Sequence, residues 1–65
     1  MTDVTTWADG YGIWHAKVPT GYGQGKVARR AILGELRQRG NVSASRVQVE
    51  LVSCDDQTAH YREAE

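Results

Sequence analysis

The string "GKVARRAILGELRQRG", residues 25–40, constrains this chain more than any other. Val27, Ala28, Ala31, Ile32 and Leu36 recur at helical spacing and fall on one arc. Gly40 stands where a helix C-cap belongs, and Arg37 and Arg39 suit the negative end of the helix dipole. The spacing predicts a helix over about 25–39. No second helical pattern occurs in the 65 residues. A chain with one helix can cover one face of a sheet, so the other face is left open.

The remaining segments read as strands. Asp9-Gly10 between "VTTWA" and "YGIWHAKV" signals a hairpin with a two-residue type I′ turn, which needs positive φ at both central positions. Strands are expected at 4–8 and 11–18, with Trp7 opposite Gly12, Thr5 opposite Trp14, and both tryptophans on one side. "RVQVELVSC" alternates Val47, Val49 and Leu51 with Gln48 and Glu50, and "TAHYRE" returns after the Asp55-Asp56 turn. The expected fold is α+β, a single ββαββ domain over 1–65. One helix packs on one face of a mixed sheet of three or four strands. Trp7, Trp14, Ala16, Val18, Ala28, Ile32, Leu36, Val47, Val49, Leu51 and Tyr61 would form the core.

A domain this short buries only roughly 60% of its unfolded surface, and the usual staples are missing. Cys54 has no disulfide partner within the chain, and with His15 and His60 it makes no zinc-type ligand set. No metal or other cofactor is therefore expected. The lone thiol and the polar, acidic start "MTDVTTWADG" point to a cytoplasmic location with no membrane contact.

Net charge is zero but unevenly spread: −1 over residues 1–25, +5 over 26–46 and −4 over 47–65. The loop "PTGYGQGK" invites a phosphate-binding reading and fails it. Thr20 and Val27 break the G-x-x-x-x-G-K-[ST] pattern, and Lys26 replaces the third glycine of G-x-G-x-x-G. Lys26, Arg29 and Arg30 lie at the helix N-terminus, where anions are preferred. Strand–helix–strand connectivity brings the end of the third strand to that same edge, so Asp55 and Asp56 are expected to compensate them. Glu63 and Glu65 would then lie towards Arg37, Arg39 and Arg46. An external anion is the alternative, with Lys26, Arg29, Arg30 and Arg37 as candidate anion-binding residues. Cys54 and His60 form at most a thiol–imidazole pair with no orienting acid, so no catalysis is expected. Asn41-Val42-Ser43 matches a glycosylation sequon, but Asn41 reads better as part of the helix stop.

The open face carries the functional expectation. Alternation assigns to it Tyr11, Ile13, His15 and Lys17, then Gln48, Glu50 and Val52, then His60 and Arg62. A mixed patch of this composition suits a protein contact better than an RNA-stacking platform, whose signature strings are absent. Tyr11, Ile13, His15, Val52 and His60 are the expected partner-binding residues, for a protein partner or a second copy. Nucleic-acid binding through the basic helix and the open face is the alternative.

The strings "DGYGIWHAKVP", "ARRAILGEL" and "AHYREAE" together resemble small uncharacterised proteins of actinobacteria and actinobacteriophages. In that group a D-G-Y-G-x-W-H-A-like strand precedes an Ala/Arg-rich helix and a Tyr-Arg-Glu end. The resemblance implies a phage or actinobacterial origin and a place in the bacterial cytoplasm, and a host-encoded protein is then among the partners expected for the open face. It carries no activity, so no functional residue transfers.

Overall fold

The computed structural model describes residues 4–40 and 47–64. Two strands, β1 (Thr5–Ala8) and β2 (Trp14–Pro19), lead into helix α1 (Gln24–Gln38). Strands β3 (Val49–Cys54) and β4 (Thr58–Glu63) follow. They form one four-stranded sheet in the order β1-β2-β4-β3, with α1 packed on one face. The ββαββ order and the α+β class are those expected. Every neighbouring pair is antiparallel, whereas a mixed sheet was expected. The reason is that β4 inserts between β2 and β3. Those two strands do run in the same direction, but they never pair.

The first hairpin differs from its expected form. Its loop runs from Asp9 to Ile13, closed by Asp9 N–H to Ile13 O at 3.0 Å and Gly12 N–H to Asp9 O at 3.1 Å. Positive φ falls on Gly12 and not on Gly10, which rules out the type I′ turn. The Asp9 carboxylate accepts the Tyr11 and Ile13 amides at 2.8 and 3.0 Å, a local bonding pattern that favours this wider turn. The pairing becomes Trp7↔His15 and Ala8↔Trp14. Trp7 and Trp14 therefore lie on opposite faces, not the same one. Trp7 meets His15 where Gly12 was expected, a shift of three residues, and any odd shift moves a whole strand's side chains across the sheet.

The core is small. Ala16 and Val18 of β2, Ala59 of β4, and Ala28, Ile32 and Leu36 of α1 are buried, and Trp14, Val47, Val49 and Tyr61 pack around them. Trp14 is held at the rim, its backbone N–H donating to Glu63 Oε1 at 2.8 Å and its ring centre lying 4.8 Å from the Arg39 guanidinium carbon. Two expected core residues are not there. Trp7 sits on the other face, and Leu51 is 52% exposed on the outermost strand, beyond the reach of the single helix.

Helix α1 starts at Gly23, whose φ of 77° is left-handed and suits glycine. No acid caps it. Instead Gln24 folds back, its Oε1 accepting the Gly21 N–H at 3.0 Å and its Nε2 donating to the Tyr61 hydroxyl at 3.0 Å. The Tyr61 ring lies where a Cβ on Gly25 would be in contact with it. The glycine loop thus turns the chain and seats Tyr61. At the other end Gly40, with φ of 78°, follows the last turn as expected. No helix among the described residues is long and apolar enough to cross a membrane.

Candidate functional site

On the open face β1, β2 and β4 bring Trp7, His15 and His60 together. The Trp7 ring stacks on His15 at 5.3 Å with planes 5° apart, and on His60 at 5.2 Å with a 36° tilt. His15 Nδ1 lies 2.9 Å from His60 Nε2, and His15 Nε2 lies 2.9 Å from Asp9 Oδ2. An ionised carboxylate can only accept, so His15 Nε2 carries a proton directed at Asp9. With His15 neutral, its Nδ1 then accepts from His60 Nε2–H. The carboxylate fixes the tautomer of the first ring, and the first ring fixes that of the second.

The electrostatics follow from this chain of bonds. The His15 hydrogen bond holds the Asp9 carboxyl below its ordinary value, helped by the Ile13 and Tyr11 amides. His60 is pushed down by burial first, and then by the charges of His15, Lys17 and Arg62. The cluster continues outward to Arg62, whose Nε donates to Glu50 Oε1 at 2.6 Å. Among the described residues no group of three or more His, Cys, Asp or Glu side chains is arranged to hold a metal ion.

His15 and His60 occupy the open face, as the alternation required. Tyr11 and Ile13 do not lie on a strand. They belong to the turn at the end of this face, where Tyr11 is 91% exposed and Ile13 borders a hollow shared with Glu50, Arg62 and Glu63. Val52 is exposed on β3 at a register break between Leu51 and Ser53. Trp7 and Asp9 were not anticipated. The signal for them is the second glycine of "DGYG", because a glycine at the fourth position of a turn marks a longer loop than Asp-Gly alone.

The candidate anion residues spread out. Lys26, Arg29 and Arg30 share the first half of α1, but Arg37 stands in its last turn. Arg29 Nε donates to Val47 O at 2.8 Å. The expected compensation by Asp55 and Asp56 is absent. The β3–β4 turn does reach the start of α1, where Thr20 Oγ1 donates to Asp55 O at 2.8 Å. The Asp55 carboxylate instead closes its own turn, accepting the Gln57 and Thr58 amides at 2.8 and 2.6 Å. Those bonds hold its carboxyl below the ordinary value, and neither Lys26 nor Arg30 forms an ion pair among the described residues. Cys54 pairs with Ala59 while Ser53 pairs with His60, so the thiol and the imidazole face opposite sides of the sheet. Glu63 is engaged at Trp14, whereas Arg46, Glu65 and the Asn41-Val42-Ser43 sequon lie outside the described residues.

The class defined by this geometry is a small α+β domain with one sheet face covered by the helix and the other left open among the described residues. No family model, curated protein or solved structure matches the chain.

Proposed function

We propose that the chain is a non-enzymatic binding module whose open sheet face docks a protein partner, either a bacterial host protein or a second copy. The observation that carries this reading is the ordered aromatic–imidazole cluster of Trp7, His15 and His60 on a face with no helix over it among the described residues. Ordering three rings costs side-chain entropy, and their stacking returns only part of what full burial would. A partner that covers them completes the burial. Tyr11 and Ile13 extend the contact at one end and Val52 at the other, a mix of aromatic and aliphatic groups suited to an interface core. A host protein in the bacterial cytoplasm, met by a phage accessory protein, is the setting that the sequence resemblance favours.

The test compares the domain with its Tyr11→Asp and Ile13→Asp variants as immobilised bait in bacterial lysate, with light scattering on the free proteins. Partner capture or self-association should be lost in both variants while circular dichroism stays that of the parent. Binding retained by both would refute the assignment of this face. Nucleic-acid binding would instead appear as a gel shift that weakens steeply with salt and ignores these two substitutions.

A further inference from the structure

On the helix side, a groove of about 480 Å3 opens between the start of β1 and the first half of α1. Val4, Tyr22, Val27 and Ala31 supply its apolar surface, and Lys26 and Arg30 stand along it. Three of the seven large apolar residues exposed among those described, Val4, Tyr22 and Val27, gather here. Beside them lie two cations with no ion pair among the described residues.

Val4, which lines the groove, leads directly into the edge strand β1, and the two edges of the sheet are built differently. β3 breaks register between Leu51 and Ser53 and carries Glu50, devices that discourage strand addition. β1 pairs with β2 in unbroken register from Thr5 to Ala8 and contains no charge, proline or bulge. Its outer backbone groups are a template for another strand.

We propose that this groove binds an extended acidic peptide segment of a partner protein, added to β1 as a fifth strand. Backbone hydrogen bonds to β1 supply the docking. Alternate side chains then point to the helix side, where apolar ones meet Val4 and Val27 and carboxylates reach Lys26 and Arg30. Charge complementarity at Lys26 and Arg30 favours such a segment over pairing with the β1 of a second copy, which brings Thr5, Thr6, Trp7 and Ala8 and no carboxylate; Glu35, which accepts from Thr6 Oγ1 at 3.3 Å, confines the acids of the segment to the Val4 end. The groove and the helix lie on one side of the sheet and the His15–His60 cluster on the other, so this proposal is independent of the reading of the open face.

The probe is a fluorescein-labelled hexapeptide Val-Thr-Glu-Thr-Glu-Thr, whose valine and glutamates share one face of an extended strand, followed by anisotropy at low and physiological salt. It should bind saturably and more weakly as salt rises. Three changes should each weaken it at least tenfold: lysine in place of its glutamates, N-methylation of alternate backbone nitrogens, and the Lys26→Glu/Arg30→Glu double variant. Both cations are exposed, and acids at a helix N-terminus are favourable, so the double variant should fold. Tyr11→Asp should leave peptide binding unchanged. Equal binding of the lysine peptide would overturn the proposal, as would equal binding of the N-methylated one. A dimer that the double variant dissolves, with no peptide bound, would assign the groove to a second copy instead. Tighter binding of a labelled single-stranded oligonucleotide than of the peptide would assign it to nucleic acid.

Discussion

On the covered face of the sheet, Ala16, Val18 and Ala59 are fully buried beneath Ala28, Ile32 and Leu36 of the helix. One residue along in the same strands, His15 and His60 face the other way and meet Trp7, which remains 36% exposed. The first face is held by removal of apolar surface from water. The second is held by stacking and by a line of hydrogen bonds from Asp9 through two imidazoles. Two cohesive schemes thus share one backbone, and they should respond differently to the same kinds of damage. Stability concentrates where the helix presses, while the open face has geometry without much burial.

The largest expected effect is on the covered side. Ile32→Ala removes the largest fully buried side chain and leaves a cavity, which costs about 2–5 kcal/mol. Small domains have little more than that in total, so urea or thermal denaturation should find this variant largely unfolded at 37 °C. A variant that melts within a few degrees of the parent would show that the two faces contribute equally. Trp7→Ala comes next. It forfeits ring contacts worth about 0.5–1.5 kcal/mol beyond area, and the half-exposed site lets water replace the ring. The domain should stay folded with a melting temperature lowered by about 4–8 °C per kcal/mol lost. Loss of partner binding at the same time would tie the cluster to function as well as to shape.

How much of this was legible in the sequence follows from which forces set each part. The helix, the order of elements and the alternation along β2 and β4 follow from apolar spacing, which is local, whereas the register break of β3 between Leu51 and Ser53 does not. Ala16, Val18, Ala28, Ile32 and Leu36 were placed correctly because their period admits one buried face. The first hairpin was not, because its register depends on where the Asp9 side chain bonds, a matter of two amides and one carboxylate. That one turn decided the face of Trp7 and with it the composition of the candidate site. The end of β3 was correctly brought to the start of the helix by topology, but which partner Asp55 bonds is a contest between its own turn and Lys26. Local amides won it, being closer along the chain.

Gly34→Ala tests the comparison from a position on neither face. A Cβ there would meet nothing within 4 Å, so the change improves helix propensity without touching a contact. If stability is limited by how firmly the helix covers its face, the gain should appear in full, about 0.8–1.0 kcal/mol. A higher urea midpoint with an unchanged slope is the expected result. No gain would mean that Gly34 serves an approach by something outside the described residues.

The smallest expected effect is one of pH, and it belongs to the open face alone. His60 titrates below its ordinary value in the folded chain, so between that value and roughly 6.5 the unfolded chain binds more protons. Stability is therefore whole above about 6.5 and declines as the pH falls through that window. A charge on His60 is opposed by its burial first, and then by the charges of His15, Lys17 and Arg62. Asp9 acts in a lower window, its contribution present above about 4 and lost as the pH falls through its depressed value. Because the chain has two histidines, the slope of the urea midpoint between pH 7.5 and 5 should flatten in His60→Gln, and Ile32→Val should leave it unchanged. An equal slope in His60→Gln would place the acid sensitivity elsewhere and reduce the imidazole pair to packing.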